Sequence, residues 1–345
     1  MAVMGKQSIQ FEKAPLIMEA AAIVGKKEGE GPFAPLFDKV EADAFLGKKT
    51  WEEAEGELQR QTVEKVLEKA GLTRMDMRYV FAGDLLEQMT ASTFGLMGYE
   101  IPFIGIYGAC STMGEGLMLA SMITAAGYAD YTLAVASSHF AAAEKEFRFP
   151  LNYGSQRPLS ATWTVTGCGA VIVGAEGVKS GNRKKPSARI TGVTTGKVID
   201  YGQKDSMNMG ACMAGAACDT IYQNFMDFGR TPEDYDRIIT GDLGYVGKTL
   251  LLSLLKEKGF DIAKQHDDCG ILIFDQEKQD THSGGSGCGC SGAMFAAHIL
   301  RQVEKGAWKR VLFLPTGALL SKVSFNENRT VPGIAHGIVL EHCGR

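Results

Sequence analysis

Nowhere is this chain apolar for long. No window reaches the roughly 18 uninterrupted apolar residues that a membrane-spanning helix needs. Its most apolar region, Leu117 to Ser137, is interrupted by Gly127-Tyr-Ala-Asp130. The N-terminus, Met1 to Lys13, has no apolar signal core, so any membrane association is expected to be peripheral and through partners. An excess of charge of one sign is also missing. The 36 Lys and Arg against 40 Asp and Glu, net −4, leave no footprint for nucleic acid. The eight cysteines (110, 168, 212, 218, 269, 288, 290 and 343) lack metal-ligand spacing partners and sit in apolar or glycine-rich settings. They read as reduced thiols of a cytosol-like compartment, with neither a disulfide framework nor a metal site. The glycines of residues 283–292 resemble a phosphate cradle, but no Gly-Lys-Ser/Thr follows, so no nucleotide or other cofactor is expected. They fit close helix–helix approach better.

What is present is a globular α/β pattern, with 45% apolar residues. The chain is organised around Ile101 to Gly127. This stretch reads as a short buried strand, Ile101 to Tyr107, a Gly-Ala-Cys-Ser turn, and a helix from about Thr112 to Ala126 stopped by Gly127. The helix is apolar on nearly every face and belongs in a core. Its first amides and positive dipole end are expected to favour a thiolate at Cys110 and an anion docked beside it. Upstream, strands are expected at Ala14–Val24 and Met77–Ala82, with helices at Trp51–Ala70 and 86–97. Downstream come a strand at Tyr131–Ala136, a polar excursion over 141–162 containing Asn152 and Tyr153, and a strand at Thr166–Val173. The basic turn-forming segment around 180–187 closes the half.

The pattern then begins again. Gly71, Thr73, Asp76 and Gly83-Asp84-Leu85 reappear as Gly229, Thr231, Asp234 and Gly241-Asp242-Leu243, each offset by 158 residues (229 − 71, 231 − 73, 234 − 76, 241 − 83). Cys110-Ser111 opens a helix ended by Gly127 and followed by a strand. Cys290-Ser291 opens one ended by Gly306 and followed by Arg310–Leu314. This is a duplication, with halves 1–182 and 183–345. Strands alternating with helices imply mainly parallel sheets, and two buried helices pack best against each other. The fold class is therefore α/β, a five-layer αβαβα sandwich of two pseudo-symmetric halves.

These features resemble the thiolases and condensing ketoacyl synthases. Gly83-Asp-Leu-Leu-Glu-Gln88 is similar to the thiolase Gly-Asn-Val-Leu-Gln segment, and Gly108-Ala-Cys-Ser111 to the nucleophile turn. Over its full length the chain resembles, more narrowly, a thiolase-like family of sporulation proteins of spore-forming bacteria. That likeness runs through Tyr107 to Gly116, Trp163 to Ala170 and Asn326 to Gly333. The departures are informative. Ser286 stands where the thiolase Gly-His-Pro run has its histidine, Val331 where the second cysteine falls, and Thr240-Gly-Asp-Leu-Gly244 where ketoacyl synthases carry Pro-His-Gln-Ala-Asn. Of the usual catalytic set only Cys110 is kept.

The resemblance implies a catalytically degenerate site that binds dipicolinic acid (pyridine-2,6-dicarboxylate), as such or as its calcium salt. It implies uptake of that acid into the developing spore with membrane proteins of the same complex, at the cytoplasmic face of the spore inner membrane, and a homodimer. The candidate ligand-binding residues are Cys110, Asp84, His139, Ser286 and His336. A thiolate nucleophile needs a proton-handling partner, so the rival reading is an acyl-transfer or condensing enzyme using Cys110 with His139 or His336. Asp84 and Asp242 end equivalent strands, where α/β sheets face their ligand crevice, which suggests a pocket role for Asp84; the repeat at Asp242 favours instead a turn or capping role for Asp84. His266, His282 and His298 read as surface or loop residues; Arg148, Arg157, Lys204 and Arg329 fall in loops that could border the crevice, with solvated loop charge as their default reading.

Overall fold

A computed structural model describes residues 2–148, 155–178 and 186–344. Asn152, Tyr153 and the boundary between 182 and 183 lie outside them.

The first half is built on five strands: β1 (Leu16–Gly25), β2 (Tyr79–Gly83), β3 (Phe103–Gly105), β4 (Tyr131–Ser138) and β5 (Gly167–Gly174). Their order across the sheet is β1-β5-β4-β2-β3. The second half uses β6 (Ala188–Thr194), β7 (Arg237–Thr240), β8 (His266–Asp268), β9 (Arg310–Leu314) and β10 (Gly337–His342), in the order β6-β10-β9-β7-β8. The two orders are the same, position for position. In each sheet four strands point one way and one, β5 or β10, runs against both its neighbours. Among the described residues the two sheets are joined edge to edge at the pair Leu16 and Arg189.

Alternation along the strands sets the layers, because successive side chains face opposite sides. Ala20, Ala22 and Val24 of β1 enter a central core, while Ala21 and Ile23 enter an outer one. The outer core of the first half is roofed by α1 (Trp51–Ala70) through Leu58, Val63, Val66 and Leu67. The central core holds α2 (Thr112–Ala125) and a helical run opening at α6 (Cys288–Met294), which continues through a π turn to Glu304. Both sheets send residues into it, among them Val171 and Val173 from one and Phe313 and Leu340 from the other. On the far side, α4 (Met209–Phe228) and α5 (Gly244–Glu257) cover the second sheet. The five expected layers are therefore present.

The duplication extends to the punctuation. Gly71 and Gly229 both end their helices in the left-handed conformation, at φ 45° and 61°. Thr73 with Asp76 and Thr231 with Asp234 form matching capping boxes.

Three expectations need correction. The stretch at 101–107 yields only the three-residue β3, and all three residues are exposed, because it forms the open edge of its sheet. The excursion over 141–162 contains a helix, α3 (Phe140–Phe147), whose Ala-Ala-Ala-Glu-Lys-Glu run is strongly helix-forming. The glycines of 283–292 admit a strand as well as a helix. A Cβ on Gly289 would sit 2.2 Å from the Gly167 carbonyl oxygen, and one on Gly169 2.3 Å from the Gly292 carbonyl carbon. Among the described residues no helix is long and apolar enough to cross a membrane, and no cysteine forms a disulfide.

Candidate functional site

The turn between β3 and α2 aims Cys110. Ala109, just before it, is held at φ 50°, a conformation costly for a residue with a Cβ. The turn is tied down by its own polar groups. The Ser111 and Thr112 amides donate to the carbonyls of Gly108 and Ala109, the Gly114 amide to that of Ser111, and the Thr112 hydroxyl to Ala109. A glycine at 317 is obligatory here, since a Cβ would lie 2.2 Å from the Gly108 carbonyl oxygen.

Cys110 lines a narrow cavity with about 40 Å³ of space open to water-sized molecules. Its floor is Ala109, Cys110 and Ser286; its walls include Leu85, Phe147, Met209 and Leu320, with Thr162, Thr164 and Ser206 supplying polar edges. Behind the floor lies Asp242, wholly buried. Its carboxylate accepts from the Ser286 hydroxyl at 2.8 Å, the Gly287 amide at 3.1 Å and the Thr316 hydroxyl at 2.9 Å. Ser286 Oγ stands 3.8 Å from the Cys110 sulfur.

This setting inverts the expected electrostatics. Burial pushes the Cys110 thiol well above its usual range, and the nearby Asp242 carboxylate pushes it further. Burial likewise raises Asp242, to about 6, against the hydrogen bonds that hold its charged form. The first amides of α2 close the turn, so Cys110 is a neutral thiol at neutral pH and no thiolate is favoured there.

Of the five candidate residues, the structure brings Cys110 and Ser286 to the cavity and leaves the other three outside its lining. Asp84 caps the segment after β2: its carboxylate accepts from the Leu86 amide at 2.9 Å and from the Ser92 amide and hydroxyl at 2.7 and 2.6 Å. His139 caps α3, accepting from the Ala142 amide at 3.4 Å through Nδ1, with Nε2 2.8 Å from the Ala44 carbonyl. His336 accepts from the Gly196 amide at 3.2 Å, and burial lowers it to about 4. Val331 sits in the outer core of the second half. His266 is buried, not a loop residue, with Nε2 3.0 Å from the Thr240 hydroxyl.

Two residues depart from their default sequence readings. Asp242 ends its strand as Asp84 does, yet it braces Ser286 beside Cys110. Arg148, in a loop that could border the crevice, has solvated charge as its default. It lines the cavity instead, with its side chain 14% exposed and paired to Glu144 of the preceding helical turn. Arg157 is also enclosed, donating to the Asp280 carboxylate at 2.7 Å.

A duplicated five-layer sandwich with a cysteine at the start of a central helix defines a thiolase-like protein. Solved structures agree on that fold. Human mitochondrial 3-ketoacyl-CoA thiolase superposes with a TM-score of 0.60 at 11% identity, covering 96% of this chain and 99% of that one. A variant of Xanthomonas campestris OleA gives 0.59 at 14% identity, covering 96% and 100%. The 3-oxoacyl-[acyl-carrier-protein] synthase III of Aquifex aeolicus gives 0.55 at 12% identity, covering 95% and 99%. At such identities the likeness carries the fold alone.

The particular family follows from sequence. The family model "Stage V sporulation protein AD (SpoVAD)" matches residues 5–341. The stage V sporulation protein AD of Bacillus subtilis (strain 168) is 42% identical over 344 residues, covering 100% of this chain and 99% of that protein. The chain belongs to the stage V sporulation protein AD family: it is a sporulation protein with a thiolase-like fold.

Proposed function

We propose that this protein is a receptor, not a condensing enzyme, and that its cavity binds dipicolinic acid for uptake into the developing spore. The observation that carries this reading is the environment of Cys110. Burial and the Asp242 carboxylate hold the thiol proton, outweighing the opposing hydrogen bond from Ser286, and no histidine is among the described cavity-lining residues. Acyl transfer needs a thiolate and a group to shuttle its proton; ligand binding needs neither. The apolar walls suit a flat ring, and the polar edges and Arg148 suit carboxylates.

In this reading the protein acts peripherally, at the cytoplasmic face of the spore inner membrane, beside membrane-embedded partners. It is also a homodimer, formed through β3. The equivalent second-half edge strand, β8, is largely buried, whereas Phe103, Ile104 and Gly105 of β3 are all exposed, with Phe94 and Met97 exposed in the segment preceding them. An open apolar edge of this kind is a pairing surface.

The test is a calorimetric titration with dipicolinate, alongside exposure to acyl-CoA. Saturable binding is expected, lost in Cys110→Phe, which fills the cavity, and mass spectrometry should find no acyl adduct on Cys110. Acyl transfer with turnover, or binding untouched by Cys110→Phe, would remove the proposal.

A further inference from the structure

Among the described residues lining the cavity, Arg148 is the sole cation and Glu144 the sole carboxylate. They stand four residues apart at the end of α3 and form an ion pair. Arg148 uses its nitrogens unequally. Nε faces Glu144, and Nη2 donates to the Thr162 carbonyl at 2.7 Å. Nη1 is buried and has no hydrogen-bond partner among the described residues. A charged donor buried without an acceptor is a costly arrangement that proteins rarely keep without a use. Several other donors nearby are committed, while the hydroxyls of Tyr107, Thr162 and Ser206 share the lining with Arg148. The Arg157 guanidinium is on Asp280, the Thr164 hydroxyl on Glu144 at 2.9 Å, and the Ser286 hydroxyl on Asp242.

We infer that Arg148 is the residue that reads the negative charge of the cavity's ligand, with Nη1 donating to a carboxylate oxygen and Glu144 competing for the same guanidinium. The inference rests on the receptor reading above and adds its specificity determinant. The planar fork keeps two arms on Glu144 and Thr162 and leaves the third without an acceptor, so a small shift of the cavity wall would bring it to a ligand, which a lysine ammonium cannot do from the same place. The site therefore selects flat acids with at least one ionised carboxylate and rejects their neutral alcohols.

Calorimetry with dipicolinate, isophthalate, benzoate and pyridine-2,6-dimethanol tests this on wild type, Arg148→Gln, Arg148→Lys and Glu144→Gln. Arg148→Gln is expected to weaken carboxylate binding roughly 10- to 100-fold, the range of a charge-assisted hydrogen bond in a dry site. Arg148→Lys should not restore it. Glu144→Gln should tighten it, since a competing charge is gone, whereas a merely structural ion pair would be harmed from either side. If wild type binds dipicolinate and Arg148→Gln binds it equally, the inference falls and the receptor reading stands. If isophthalate or benzoate binds through Arg148 while dipicolinate does not, the ligand assignment falls and the inference stands. If no carboxylate binds, both fall. Should Arg148→Gln not fold, Glu144→Gln decides: affinity unchanged or weakened overturns the inference.

Discussion

The Ser286 hydroxyl donates to the Asp242 carboxylate at 2.8 Å while its oxygen stands 3.8 Å from the Cys110 sulfur. One buried carboxylate thus organises the floor of the cavity and keeps the neighbouring thiol protonated. The chemistry of the site follows from that arrangement.

Alkylation of Cys110 should accordingly be slow at neutral pH and accelerate only in alkaline solution. Asp242→Asn removes the charge that disfavours the thiolate, so the Cys110 titration moves down and labelling at a given pH quickens. The measurement is the iodoacetamide rate at Cys110 against pH, by peptide mass spectrometry. A wild-type thiol already labelling fully at pH 7 would contradict the assignment. The same variant should melt lower, because Ser286, Gly287 and Thr316 all lose their charged acceptor.

Asp84 occupies the position of Asp242 in the other half, yet holds up a helix start rather than a cavity floor. Asp84→Ala removes an acceptor from three donors and leaves the Ser92 hydroxyl and two amides unsatisfied. A loss of about 2 kcal/mol or more in unfolding free energy is expected. Ligand affinity of the folded fraction should be unchanged, because Asp84 does not line the cavity. Denaturant titration and calorimetry on one preparation separate the two effects; an affinity change without a stability change would return Asp84 to the site.

Much of the fold is legible in the residues. Trp51–Ala70 and Arg310–Leu314 fall where the pattern puts them, and the 158-residue offset foretells the matching caps at Thr73 and Thr231. What escaped depends on tertiary context. Phe103-Ile-Gly105 is as apolar as a core strand, and only its place at the sheet edge exposes it. Asp84 and Asp242 share one local motif, and what separates them is the partner each meets: Ser92, eight residues on, or Ser286, 44 residues on. The Glu144–Arg148 spacing is a local pair, but nothing local announces that Thr162 will close over the guanidinium and enclose it.

The exposed edge has its own test. Placing a charge at its centre, Ile104→Lys, blocks strand pairing without touching the core, since Ile104 is 39% exposed in the single chain. Sedimentation should show a dimer for wild type and a monomer for the variant, with unchanged melting of the monomeric unit. A monomeric wild type would leave β3 without the partner proposed for it.

Buried acids away from the cavity give a pH signature. Glu28 is fully buried, and desolvation raises its carboxyl from 4.5 to about 7 against hydrogen bonds such as that from the Thr166 amide at 3.1 Å. In the folded state it holds its proton more tightly than in the unfolded chain. Its contribution to stability is therefore complete below about pH 4.5 and lost as pH rises to about 7. His336 works the other way: lowered to about 4 from 6.5, it is neutral when folded, and its contribution is lost as pH falls through that window. The two trends oppose each other, so the wild-type curve alone cannot isolate either. Glu28→Gln can, because it deletes one titration and leaves the other. The variant should gain on wild type by up to the order of 3 kcal/mol between pH 4.5 and 7.5, read from urea unfolding at each pH. A difference that stays flat across this range would mean Glu28 titrates normally in the fold, and the burial of its carboxyl would need another account.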